Sequence, residues 1–230
     1  MSDPAKGRGR DDELLLALVH DMRMHLRKSI TATQRLEKQT KDLLTAEQKE
    51  PLTQILAAGR SMDNLLARLV KYALAGASAK DEPLSDIAVM FDTAVRRLAG
   101  KNVDAEIEAD SLRASGIQTL SCVEIVLGEL LDNALTFRQG PVRITISVEQ
   151  AEGGTLVGVK DTGIGFDPQF SERIMRPLER LHPAHVYPGC GLGLAICQRT
   201  IQACGGKLWA ESTLGNGAAF WFSLPPIASA

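Results

Sequence analysis

No stretch of this chain approaches the ~18 consecutive apolar residues that cross a bilayer, and the polar N-terminus lacks the apolar core of a secretory leader. The two absences lead to the expectation of a cytoplasmic protein with no membrane segment. Charge of one sign is missing as well. With 26 lysines and arginines against 28 aspartates and glutamates, the formal net charge is -2, so no extended basic field exists to gather nucleic acid by counterion release. Cysteine is scarce: the four residues show no Cys-x-x-Cys spacing, which argues against both a zinc site and a disulfide framework. Cys197 and Cys204 stand seven apart on one helical face and read as buried packing. The remainder, 230 residues at 44% hydrophobic content, suits one large globular domain or two modest ones.

Residues 1–10 are polar, small and basic and read as a disordered lead-in. From Asp11 the pattern turns helical. Leu15, Val19, Met22, Leu26, Thr33, Leu36 and Leu43 follow three- and four-residue steps, and a second segment repeats them with Leu52, Ile55, Gly59, Met62, Leu66, Leu69 and Ala73. One hairpin cannot cover two such wide stripes, so residues 11–77 are expected to form an antiparallel hairpin that pairs with a second copy as a dimeric four-helix bundle. Thr45-Ala46-Glu47-Gln48 looks like a capping box, yet Pro51 removes a helical hydrogen bond soon after, which predicts a distorted first turn. Small, polar residues ending at Pro83 mark an interdomain linker over 78–83, and a second domain over 84–230.

In that second domain, periodicity predicts helices over 84–98 and 119–137 and after Gly193. Strands are expected over 103–107, 142–148, 155–159, 207–211 and 219–224, the middle pair joined through Glu152-Gly153-Gly154. The expected fold class is α+β: the helical bundle, then an α/β sandwich.

The chemistry concentrates in four places. Gly189-Cys190-Gly191-Leu192-Gly193-Leu194 places three alternate glycines ahead of an apolar helix, so that backbone N–H groups and the positive helix end can meet a polyphosphate. Glu129 and Asn133 lie one helical turn apart on one face, an oxygen-rich pair that suits Mg²⁺ shared with substrate phosphates, although a solvated polar stripe has the same spacing. Asp161 enters Thr162-Gly163-Ile164-Gly165, where a carboxylate can meet a ligand edge while glycines turn the chain closely around it. An ordinary Asx turn is the plainer reading. His20, beside Asp21, sits next to the seam positions Val19 and Met22, on the accessible flank of the first helix. A neutral imidazole is nucleophilic, and an adjacent carboxylate can fix its tautomer.

In order along the chain, Glu129 to Ala134, Asp161 to Gly165, Ile174 to Leu181, Gly189 to Leu194 and Gly215-Asn216-Gly217 resemble the N, G1, F, G2 and G3 boxes of the histidine kinase ATP-binding domain. Arg180-Leu181-His182 and Tyr187-Pro188-Gly189 resemble the phytochrome-type members in particular. The resemblance implies a histidine kinase/gyrase-type sandwich with the nucleotide between a helical layer and a mobile lid. It implies ATP and Mg²⁺ as cofactors, held through Asn133 as metal ligand, Asp161 on the adenine amine, and Gly163, Gly165, Gly189, Gly191, Leu192, Gly193 and Leu194. His20 becomes the phosphoacceptor, with Asp21 and Glu129 assisting.

The reading is a sensor histidine kinase of a two-component system that autophosphorylates His20 and passes the group to a response-regulator receiver domain. Its partners are a second copy, that receiver, and an upstream sensory domain or protein not present in this chain, with no nucleic acid. Departures from the family pattern keep a second reading open, a catalytically decayed dimeric scaffold or phosphotransfer adaptor. Met24 and His25 stand where the family has Thr or Asn and then Pro, Thr136 where it often has Lys, Met175 and Leu178 where Phe is common, and Ala218-Ala219 where a hydroxyl is usual. A gyrase-like ATPase would share the nucleotide fold but leave the His20 bundle unexplained.

Overall fold

The computed structural model describes residues 4–76, 83–98, 104–151, 153–183 and 185–226. The chain divides into two compact units, Met1–Leu74 and Ala75–Ala230. The expected linker at 78–83 lies, except for Pro83, outside the described residues.

The first unit is a hairpin of α1 (Pro4–Gln39) and α2 (Ala46–Leu74). Helix α1 starts at Pro4 and so takes up residues 4–10, which composition alone places in a disordered lead-in. Val19, Leu56 and Leu66 are buried. Gly59 permits close helix approach, since a Cβ there would stand 2.8 Å from Ile30 Cγ1. Arg23 spans the hairpin, donating to Asp63 at 2.9 Å and holding that carboxyl below its usual range. The capping box forms: Thr45 N donates to Gln48 Oε1 at 3.0 Å and Gln48 N to Thr45 Oγ1 at 3.3 Å. Helix α2 runs unbroken through Pro51. The first-turn distortion expected from that proline is not seen: Lys49 N donates to Thr45 O at 3.1 Å, and Pro51 lies beyond the turn that the capping box closes. Leu14, Leu18, Met22, Leu36, Ile55 and Met62 remain exposed, an apolar stripe left over after the hairpin has packed.

The second unit is built on a five-stranded sheet in the order β2-β4-β5-β7-β6, comprising β2 (Ala105–Glu108), β4 (Val142–Ala151), β5 (Gly154–Asp161), β6 (Lys207–Ser212) and β7 (Ala218–Leu224). Only β2 and β4 run parallel; the other neighbours are antiparallel. Alternation sets the faces. In β7, Ala218, Phe220, Phe222 and Leu224 are buried while the residues between them are half-buried. Helices α3 (Ile87–Leu98), α5 (Val123–Thr136) and α6 (Gly193–Ala203) contribute Phe91, Leu127, Leu130, Leu131, Cys197 and Ile201 to a core shared with Ile144, Ile146 and Phe222.

Two helix expectations need correction. Residues 84–86 form β1 (Leu84–Asp86), paired antiparallel with β3 (Gln118–Leu120), so α3 begins only at Ile87 and α5 only at Val123. Apolar spacing continues through both junctions, and only the long-range pairing draws these residues out of the helices. Asp86 then caps α3 by accepting from Ala88 N at 2.8 Å. The short helix α4 (Asp110–Arg113) had no sequence signal of its own.

Candidate functional site

Three segments distant in sequence converge at the end of β5. Asp161, the last residue of that strand, points inward by strand alternation and is 6% exposed. Its Oδ1 accepts from Gly163 N at 2.8 Å and from Ala218 N at 3.3 Å. Burial pushes the carboxyl above the usual range, and these two backbone bonds offset part of the shift. The Asx turn expected for this residue is thus present, and it commits only one of the two carboxylate oxygens.

The glycines around Asp161 are required by close approach. A Cβ on Gly163 would stand 2.3 Å from Phe137 O. Gly217, at φ +77°, would place one 1.9 Å from Asp161 O. Phe137 O, just past α5, accepts from Ile164 N at 3.0 Å, while Ile164 O accepts from Gly215 N at 2.7 Å. Ser212 Oγ accepts from Phe166 N and donates to Gly217 O, both at 2.8 Å. The end of α5, the loop after β5 and the turn before β7 are therefore tied into one frame. Ala218 stands where a hydroxyl is usual, and its N–H helps to fix Asp161.

On α5, Glu129 is buried at 5% exposure and Asn133 is half-buried. Among the described residues no group of three or more His, Cys, Asp or Glu side chains could hold a metal ion. An oxygen pair shared with phosphates remains compatible with that finding, because Mg²⁺ commonly takes only one or two protein ligands. Arg138, two residues after Thr136, donates to Leu135 O at 3.1 Å and also to Gly140 O, so its guanidinium is engaged with backbone.

The glycine loop leads into α6. Gly191, at φ +72°, donates no side chain to a space where a Cβ would lie 2.5 Å from Glu179 O, and its carbonyl accepts from Leu178 N at 2.8 Å. Leu192 is fully buried and anchors the loop, while Gly193 and Leu194 open α6. Gly189 has φ +147°. Leu178 is exposed and holds φ +64°, a left-handed conformation that costs a non-glycine residue about 1–3 kcal/mol. Met175, the other position where Phe is common, is buried in the core.

Sequence reasoning missed what organises the segment between them. Arg180 donates to His182 O at 3.2 Å, to Tyr187 O at 2.6 Å and to Gly189 O, closing the segment on one guanidinium. Phe137, His182 and Tyr187 form a ring cluster with centroids 5.2–6.1 Å apart. His182 is thus packed within this cluster, whereas His185 is exposed. Only the quoted run Arg180-Leu181-His182 hinted at either feature.

His20 and Asp21 lie on α1 in the first unit, with side chains 82% and 72% exposed and Nδ1 3.5 Å from Asp21 Oδ1. His25, the other histidine of α1, is also exposed.

Residues 121–228 match the family described as histidine kinase-, DNA gyrase B-, and HSP90-like ATPase. Cyanobacterial phytochrome A of Nostoc sp. is 32% identical over 209 residues, covering 90% of this chain and 27% of that protein. The adaptive-response sensory kinase SasA of Synechococcus sp. (strain JA-2-3B'a(2-13)) is 27% identical over 223 residues, covering 93% of this chain and 59% of the relative. The chain therefore spans between a quarter and three-fifths of these relatives. Among solved structures, full-length ShkA in complex with AMPPNP superimposes with a TM-score of 0.70 at 28% identity, over 95% of this chain and 47% of that one.

Proposed function

Because this chain belongs with the sensor histidine kinase transmitters, we propose that it is a homodimeric kinase that phosphorylates its own His20 from Mg·ATP and then passes the phosphoryl group to a receiver-domain aspartate of a response regulator. The observation that carries the reading is Asp161. It is a buried carboxylate whose Oδ1 is held by two backbone N–H groups and whose Oδ2 is left to accept the adenine amine. Guanine has a carbonyl oxygen at that position, so the site selects adenine.

The residues fit the nucleotide they are given. Gly163, Gly165, Gly189, Gly191, Leu192, Gly193 and Leu194 shape backbone that a Cβ would fill at Gly163, Gly165 and Gly191, and α6 turns its N-terminus to the glycine loop. Asn133 would hold the metal through its side-chain oxygen, with Glu129 one turn before it on the same helix; when bound, Mg²⁺ would neutralise phosphate charge. On α1, the Asp21 carboxylate lies 3.5 Å from Nδ1 of His20, a placement from which it would hold the proton on Nδ1 and leave Nε2 as the nucleophile. Nε2 forms the P–N bond as the bond from the γ-phosphorus to the bridging oxygen breaks and ADP leaves, and the imidazole proton is stabilised by Asp21. Incubation with γ-labelled ATP tests the whole reading: acid-labile, base-stable label on the chain supports it, and absence of label overturns it.

The scaffold reading has one observation behind it. Arg138 spends its guanidinium on backbone carbonyls and so does not replace the lysine absent at Thr136. A chain that binds ATP but takes no label would support it.

The exposed stripe at Leu18, Met22, Ile55 and Met62 motivates the dimer. Light scattering of the full chain at micromolar concentration should give twice the chain mass; a single-chain mass would overturn the bundle.

The proposed kinase is also expected to be a poor phosphatase. Met24 is exposed on the face of His20, one turn along, and its thioether is at best a weak acceptor for a water attacking phosphoaspartate. Met24→Thr should raise the hydrolysis of an independently phosphorylated regulator by about tenfold or more, measured without ATP and in a His20→Ala background. Strong hydrolysis by the Met24 protein in that same background would remove Met24 from this role.

A further inference from the structure

The four cysteines of this chain are all reduced thiols, and no spacing in the sequence marks any of them as a pair. The fold nevertheless brings together two that are 82 residues apart: Cys122 Sγ and Cys204 Sγ are separated by 3.1 Å. Cys122 is the residue immediately before α5 and Cys204 the residue immediately after α6, so the contact lies where the start of one helix meets the end of the other. The two helices pack against each other, and deeper in the interface Cys197 Sγ, seven residues before Cys204, lies 3.8 Å from the carbonyl oxygen of Val126, four residues after Cys122. Cys122 is half-buried and within reach of a small reagent, whereas Cys204 is only 7% exposed. Cys122 is therefore the thiol that meets an oxidant first, and a thiolate is the species that attacks one.

From this geometry we propose that Cys122 and Cys204 are a modification site, forming a reversible disulfide within the ATP-binding unit when the protein meets hydrogen peroxide. The Cys122 thiolate attacks one peroxide oxygen and the O–O bond breaks, giving a sulfenic acid and hydroxide, which takes up a proton as water. Cys204 then attacks the Cys122 sulfur, the S–S bond forms, the S–O bond breaks, and a second water leaves with the Cys204 proton. Two thiols lose two electrons and two protons in total, and one peroxide is reduced to two waters. Closing the gap needs a movement of about 1 Å, because a disulfide holds its sulfurs at ~2.05 Å.

The position determines the consequence. Asn133 lies about 15 Å along α5 from this end, and the glycine loop opens α6 at its opposite end. The cross-link therefore clamps the two helices away from the nucleotide and stabilises the unit without occupying its site. Closing a loop of this length restricts the unfolded chain strongly.

The test treats the full chain with equimolar hydrogen peroxide, followed by quenching and peptide mapping without reductant. A linked peptide joining Cys122 to Cys204, with the loss of two hydrogens in the intact mass, is the expected product. Its thermal midpoint should rise by on the order of 10 °C and return on reduction with dithiothreitol, while ATP affinity stays within about twofold. Cys204→Ala should stop at an oxidised Cys122 and show no such rise, and Cys122→Ser should give no linked product. A linkage to Cys190 or Cys197, an intermolecular product, an unchanged midpoint, or loss of ATP affinity on oxidation each overturns the proposal. Mapping on the unsubstituted chain decides the pairing even if a variant folds poorly.

Discussion

His20→Ala is expected to remove all acid-labile, base-stable label from the protein incubated with γ-labelled ATP, while leaving ATP affinity unchanged. The two halves of the result have separate physical grounds. The side chain is 82% exposed and belongs to the hairpin unit, so its loss opens no cavity and removes no core contact. Stability should change by less than about 0.5 kcal/mol. Label must disappear entirely because the nucleophilic nitrogen is gone and no neighbour can take its place. His25 is exposed, but it stands about 140° around α1 from His20, taking 100° per residue, and no carboxylate adjoins it in sequence. Residual label on His25 at more than a few per cent would show that acceptor choice is looser than the Asp21 contact implies. Loss of ATP binding together with label would indicate a folding defect and would call for His20→Gln, which keeps a polar side chain at the position.

Asp161→Asn is expected to separate stability from binding in opposite directions. Asparagine is isosteric, and its Oδ1 can go on accepting from Gly163 N and Ala218 N. What changes is the second atom, where an NH₂ donor replaces Oδ2 and would face the donor amine of adenine. Losing a charge-assisted hydrogen bond and opposing two donors costs about 3 kcal/mol or more, so ATP affinity should fall at least about a hundredfold. For the unliganded protein the sign is reversed. Burial raises the folded carboxyl above its ordinary 3.8, so between 3.8 and the raised value the folded state holds a proton that the unfolded chain has released. That contribution is fully present below 3.8 and is lost as pH rises through the folded value. At neutral pH the ionised group is a desolvation cost that asparagine does not carry. The unliganded variant should therefore unfold at the same temperature as the parent or higher at pH 7, with the difference shrinking toward acid. Calorimetric titration with ATP and thermal scans from pH 4 to pH 8 check both halves. Unchanged affinity would remove Asp161 from the adenine contact, and a destabilised variant at pH 7 would show that the ionised form makes stronger contacts than its two backbone bonds.

The legibility of this protein in its sequence differs between its parts for identifiable reasons. The glycines at 163, 165, 191 and 217 were readable because backbone close approach leaves a residue-type mark: a Cβ at these positions would strike a carbonyl, a side chain or both. The strand read over residues 219–224 forms as β7, with Phe220 and Phe222 buried and Trp221 half-buried, since a period of two leaves no freedom once one face is apolar. Helical periodicity identified α5 and α6 but not their ends. Leu120 and Val123 keep an apolar spacing across the junction between β3 and α5, and no local rule separates them.

By itself, then, the sequence determined the two-part architecture, the order of the motifs, the burial of alternate strand residues and the positions where only glycine fits, because each of these depends on residues close together in the chain. The tertiary structure alone decided that residues 84–86 leave the helix to pair with residues 118–120, that Arg23 meets Asp63 across the hairpin, that Arg180 gathers three carbonyls, and that Cys122 faces Cys204. Most of these contacts join residues dozens of positions apart, and even the short-range Arg180 contacts depend on how its segment folds back on itself. Periodicity reports which face of an element is apolar, but the choice of partner across space is made only when the chain closes and backbone and side-chain polar groups must find one another.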